Sequence, residues 1–297
     1  CYYACQYTAP HEFELNLPKA LAEVRRASWE DYAWPAPAGR AFQRSGVALA
    51  GATVIGFALL FFAIRVFGSA EGEGFYAALS HGAMVAIFLP AFLFPVVSLG
   101  VSLRRYWQAT GGGAFGLSHM LGAFGSAAKM KNLAGGHGDG CNFEDEDRFS
   151  HARRLAHQAV MYGFLLCFLS TASGTVLHYL FGAPAPYGFW SWPKLFGVPG
   201  GLLMVVGTLW LAALKLRADR DLGDPSAWGG EMAFVLLLFL VAASGLALYW
   251  LGGTALMPLL LAVHLGAVLS FFLLSPFTKM AHGFYRLAAL LREAAIK

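Results

Sequence analysis

Six runs of largely apolar residues, each long enough at about 20 residues to cross a bilayer as a helix, alternate along the chain with charged, Gly-rich or Pro-containing segments. They cover roughly 46–67, 75–103, 157–181, 197–216, 229–251 and 255–276. Each therefore predicts a membrane-spanning helix. Residues 1–44 are polar and mixed and predict a soluble head. Within it Leu15 to Trp29 reads as a short amphipathic helix, and Pro35 and Pro37 mark a linker. The stretch 104–156 is long, Gly-rich and charged (GGHGDGCNFEDEDRF) and reads as a solvated loop holding a short helix. The segments 68–74, 182–196 and 252–254 are short turns, Asp219 to Pro225 closes the remaining connection, and no internal repeat is evident. The expected architecture is an all-α integral membrane protein, with a head over 1–44 and a six-helix transmembrane bundle over 45–297.

Composition supports this reading. The chain is 58% hydrophobic and 13% charged, with 25 Phe, 35 Gly and 8 Trp, which excludes an ordinary soluble domain and suits membrane helices with aromatic interfacial belts. The net charge of +4 comes without an extended basic patch, so nucleic acid is not an expected partner. No signal peptide is visible in the polar first 44 residues, and the four cysteines do not form the even framework of a secreted disulfide protein. Basic residues fix an expected orientation. The N-terminal segment, 104–156, 215–227 and the C-terminus carry 5, 7, 3 and 4 Lys and Arg, or 19 of the 21; only Arg65 and Lys194 fall on the other side. The positive-inside rule then places both termini and the large loop in the cytoplasm.

Four histidines sit at the ends of two apolar segments. His157 and His178 bracket HQAVMYGFLLCFLSTASGTVLH, and His264 and His282 bracket HLGAVLSFFLLSPFTKMAH. Ionisable residues are rare in membrane spans and are functional suspects there. Positions 264 and 282 are 18 residues apart, five whole turns at about 100° per residue. Positions 157 and 178 are 21 apart, about 60° short of six turns. Along continuous helices the pairs would be separated by about 27 and 31 Å, roughly a hydrocarbon thickness. Neutral imidazole is a usual axial ligand of haem iron. Two antiparallel spans so equipped would hold an inner haem between His157 and His282 and an outer one between His178 and His264. The competing reading of any single one is an interfacial histidine. His81 starts the second span on the outer side and could replace His178 or His264; His151, His119 and His137 fall in solvated stretches. Arg153, Arg154 and Arg286 flank the inner pair and could neutralise haem propionates, although membrane anchoring explains them equally well.

Cys1-x3-Cys5 has the last interval of the bacterial iron–sulfur run C-x2-C-x2-C-x3-C-P, with Gln6 in place of the proline. Because the chain opens on Cys1 and not on Met, we expect a ferredoxin-like domain cut inside its last motif. Two thiolates cannot complete a cluster. His137-x3-Cys141 lacks further ligands, Cys167 reads as a small buried apolar residue, and the acidic run Glu144 to Asp147 reads as a solvated segment or a docking point for a basic partner.

The stretches CYYACQYTAPHEFELNLPKALAEVR and CNFEDEDRFSHARRLAHQAVMYGFLLCFLSTASGTVLHY resemble the tricarballylate-utilisation protein B family, also called citrate-utilisation protein B. The resemblance runs over essentially the whole chain. It implies an N-terminal domain with two [4Fe–4S] clusters, a six-span haem b membrane domain and a bacterial inner-membrane location. It also implies reoxidation of a cytoplasmic flavoprotein, tricarballylate dehydrogenase, with electrons passed to membrane quinone. Separately, HLGAVLSFFLLSPFTKMAH is similar to the fifth span of the nitrate reductase gamma subunit, which has two haem-ligating histidines at this spacing around a Pro-Phe pair, here Pro276-Phe277. That similarity implies that His264 and His282 bind two different haems. The expected function is a membrane electron-transfer subunit. The alternatives are a tricarboxylate secondary transporter, disfavoured by the lack of repeats, and a haem-free membrane anchor.

Overall fold

A computed structural model describes residues 2–3, 5–67, 79–133, 143–145 and 148–296, with no side-chain detail for 143–149. Cys1, His137, Cys141 and the end of the acidic run, Glu146 and Asp147, lie outside the described residues. The chain forms nine helices among the described residues and one short antiparallel hairpin. The helices are α1 (Leu17–Tyr32), α2 (Ala36–Phe67), α3 (His81–Ala109), α4 (Leu117–Ala128), α5 (Ala152–Phe181), α6 (Trp192–Arg217), α7 (Pro225–Leu251), α8 (Met257–Leu274) and α9 (Ala281–Ile296). The hairpin pairs β1 (Phe143–Asp145) with β2 (Arg148–Phe149). Six helices, α2, α3, α5, α6, α7 and α8, are long and apolar enough to cross a membrane. The all-α fold with six spans read from the sequence is the fold observed.

Local chemistry sets most boundaries. Asn16 caps α1 by accepting from the Lys19 amide at 3.0 Å, and Pro18 follows in the first turn. Ser80 caps α3, and Asp224 caps α7 ahead of Pro225. Gly182 ends α5 in the left-handed region at φ 63°.

The stretch 104–156 holds the short helix expected of it, α4, which packs on α9. Two other expectations change. The Pro35–Pro37 segment is not an open linker: α2 begins at Ala36 and kinks at Ser45 (φ −141°). Most important, the segment from His264 to His282 is not one helix. Helix α8 ends at Leu274, Ser275–Phe277 is a 3-10 turn, and Thr278 is extended (ψ 178°) before α9 begins. Pro276 lacks an amide proton and its ring clashes with the preceding turn, which favours a break. Helices α3 and α6 do continue past Pro90, Pro95 and Pro199, so the break rests on Pro276 together with the extended Thr278. The five-turn, same-face argument therefore fails for this pair.

The two spans most covered by protein are α7 and α8, with 50% and 44% of their apolar windows buried against 11% for α2. They form the centre of the bundle. Phe234, Leu237 and Leu238 of α7 meet Phe271 and Leu274 of α8, Phe42 of α2 and Met204 of α6. Helix α5 packs along α6, and α8 along α2. Both contacts depend on glycine. A Cβ on Gly207 would come within 2.9 Å of the Val160 amide nitrogen, and one on Gly163 within 2.7 Å of the Met204 nitrogen. One on Gly266 would come within 2.7 Å of the Ala58 nitrogen. Close backbone approach through small residues is the usual way helices associate in lipid, where hydrophobic burial gives no net drive.

The charged segments gather at one end. Arg26 of α1 bonds Asp224 at 2.5 Å, Tyr3 donates to Asp219 at 3.0 Å and Asn16 to the Asp221 carbonyl at 2.7 Å. Arg154 donates to the Lys129 carbonyl at 2.8 Å, and Arg292 to the Gly111 carbonyl.

Candidate functional site

At this charged end α1, α4, α5, α6, α7 and α9 enclose a cavity of about 1260 Å³, larger than the roughly 300–1,000 Å³ of an ordinary small-molecule site. His157 of α5 and His282 of α9 both line it. Their ring centroids are 5.7 Å apart and the rings are nearly perpendicular, at 78°. The break after α8 makes this possible, because it lets α9 leave the line of the span and carry His282 into the cavity. The Lys279 carbonyl, exposed by the same break, bonds His282 Nδ1. Nδ1 must be the donor in that bond, which leaves the Nε2 lone pair free. Burial pushes the His282 imidazole down to about 4, so it is neutral at pH 7. His157 Nδ1 is buried without a hydrogen-bond partner.

A second group in the cavity did not emerge from the sequence reading. Glu231 of α7 is held between Lys215 of α6 at 2.5 Å and Lys279 at 2.8 Å. Its sequence signal was available: a single carboxylate in the first turns of an apolar run is an intramembrane ionisable residue. Lys279 thus joins two parts of the site, with its ammonium on Glu231 and its carbonyl on His282. Arg153 and Arg286 also line the cavity, in which seven Arg and Lys face three Asp and Glu.

The remaining histidines are distributed differently from the expectation. His178 and His264 are not brought together. His178 stacks on His81 of α3, with centroids 4.3 Å apart and planes at 27°, and His81 Nε2 meets the Tyr179 hydroxyl at 3.0 Å. His264 faces α7, where its Nδ1 meets Ser244 Oγ at 3.0 Å and its ring lies over Gly245. The reason is helix pairing: α5 lies along α6 and not along α8, so depth alone did not identify the neighbour. His119 accepts from the Gly116 amide at the start of α4, and Cys167 packs against the main core. Cys5 forms no disulfide among the described residues, and its backbone amide donates to the Tyr2 carbonyl at 3.2 Å.

The fold and site together define a multi-pass, all-helical membrane protein with a histidine-bearing cavity at its charged end. A profile of the family described as "Citrate utilization protein B" matches residues 41–297, and the chain belongs to this family. It is 37% identical over 305 aligned positions to Citrate utilization protein B of Escherichia coli, an alignment that takes in 100% of this chain and 79% of the relative. No solved structure matches.

Proposed function

We propose that this protein acts in citrate or tricarboxylate utilisation as a membrane electron-transfer subunit. It accepts electrons from a cytoplasmic flavoprotein dehydrogenase and delivers them through iron–sulfur clusters and haem b to membrane quinone. The observation that carries the reading is the facing pair His157 and His282. Two imidazoles on one metal, each with a bond of about 2 Å, have ring centres about 6 Å apart, and the observed 5.7 Å is close to that. The stacked pair His81 and His178, at 4.3 Å, leaves no such room. We therefore assign one haem, to His157 and His282.

When bound, haem supplies one-electron redox chemistry. The chain's residues do the rest. The Lys279 carbonyl fixes the His282 tautomer and ring direction, as outer-shell partners do at metal sites. Arg153 and Arg286 offer cations to acidic ring substituents. Phe164, Phe234 and Leu238 line the apolar part of the cavity and limit water there. The segments on the side of the cavity carry 19 of the 21 basic residues of the sequence, and under the positive-inside rule this distribution supports a cytoplasmic position for that side and both termini.

Absorption spectra of the detergent-purified protein, oxidised and dithionite-reduced, test the reading. A b-type α-band on reduction is expected. A haem-free protein that instead binds a tricarboxylate would favour the transporter reading, which the cation excess in the cavity also suits.

A further inference from the structure

We infer that α4 is a membrane-interface helix whose apolar side lies in the lipid leaflet at the cavity end. Leu117–Ala128 contains no Asp, Glu, Lys or Arg. Its 12 residues span about 18 Å, too short for the roughly 30 Å of hydrocarbon. At about 100° per residue its surface divides into three strips. Ala123, 2% exposed, turns towards the protein with Ser126 and Ala127. Leu117, Leu121 and Phe124 fall on a second strip, with Met120 at its edge, and are 72%, 64%, 53% and 37% exposed. Phe124, at the end of the strip nearest the cavity, also lines it. Ser118, Gly122 and Gly125 form the third, in line with Lys129. This is the division of a helix lying in an interface, with large apolar residues towards the acyl chains and a hydroxyl, two glycines and a cation towards the headgroups.

The position of the helix says what covers the apolar strip. The Tyr162 hydroxyl donates to the Ala128 carbonyl at 2.9 Å, and Arg154 donates to the Lys129 carbonyl at 2.8 Å. Both donors are on the spanning helix α5, with Tyr162 about 12 Å further along it than Arg154. The C-terminal end of α4 therefore lies beside the first turns of a span. Just beyond, α5 exposes Leu165, Phe168 and Leu169 at 51%, 50% and 44%, and the apolar strip of α4 continues that belt at its edge. Lys129, Lys131 and Arg154 frame it with the charge that anionic headgroups attract.

The test uses the full chain in vesicles of phosphatidylcholine and phosphatidylglycerol. Photoreactive p-benzoylphenylalanine is placed singly at Leu121, Phe124, Ser118 or Leu169, and products are read by intact mass after irradiation. Leu169, on the lipid-facing side of a span, reports lipid contact. Phospholipid adducts are expected at Leu121 and Phe124 in yields close to that at Leu169, and several-fold lower at Ser118. Adducts at Leu169 with none at Leu121 and Phe124 would place α4 in water and overturn the inference. Cross-linked dimers at Leu121 would also overturn it, by giving the strip to a second copy of the chain. Equal lipid adducts at Ser118 and Leu121 would overturn the orientation, and the inference with it.

Discussion

His157 and His282 come from different helices yet face each other at 5.7 Å, and residues that share one iron must lose it together. We expect His157→Ala and His282→Ala each to lower haem per protein by one equivalent in a pyridine haemochrome assay, and the double variant to lower it no further. Additive losses would place the two on separate irons. The outer histidines follow a different rule. The stack of His81 on His178 predicts that the alanine variants of these two are non-additive in thermal stability, because each removes the same contact. His264→Ala should add to both, since its partner is Ser244. Glu231 holds two lysines, so Glu231→Gln leaves both cations with weakened partners. A loss of roughly 2 kcal/mol is expected in thermal unfolding, and Glu231→Gln combined with Lys215→Met should cost less than the sum of the two. The position along a span was legible for His157, His178 and His264, because the apolar runs locate the helix ends. Partnership was not legible, because spacing within a helix says nothing about which other helix lies alongside.

At the scale of elements, two features position the site. The first is the glycine contact between α5 and α6, which holds His157 in place. Gly207→Leu forces a side chain into the Val160 backbone, 2.9 Å from the added Cβ. Overpacking of this kind costs about 1–3 kcal/mol, and both the melting temperature and haem retention in detergent should fall. The second is the break between α8 and α9. Pro276→Ala removes the obstacle to continuing the helix, so α8 should lengthen and His282 should leave its place opposite His157. Haem content should then fall although both histidines remain; unchanged haem content would show that the proline does not set the site. The spans were legible because runs of apolar residues at this length have one physical solution in lipid. The break was visible as Pro276 but was read as part of a continuous segment, because the histidine spacing fitted whole turns. The short helix expected within 104–156 is α4, but its bounds were obscured by its flanks, since GGG before it and Lys-Met-Lys after it read as loop.

At the scale of the whole molecule, the N-terminal segment is held to the bundle by the ion pair of Arg26 with Asp224 and, at the end of α1, by Tyr32 against Tyr106 and Tyr285. Burial alone would raise the Asp224 carboxyl, but hydrogen bonds from Ser226 and Arg26 hold it below its ordinary value. Its contribution to docking is therefore present above the unfolded value of about 3.9 and is lost as the pH falls through the lowered native one. Limited proteolysis should release α1 faster at acid pH, and Asp224→Asn should show that release already at neutral pH. The common end of the charged segments was legible from the Lys and Arg distribution. The cavity they enclose was not, since it is built from six helices that are distant in sequence. The break after α8 has one more consequence. His157 is built into a span that glycine contacts lock to its neighbour, whereas His282 rides on α9, which is joined to its span through the extended Thr278. A force applied to α9, through α4 or through a partner bound at this end, would therefore turn one imidazole against the other without disturbing any helix that crosses the membrane.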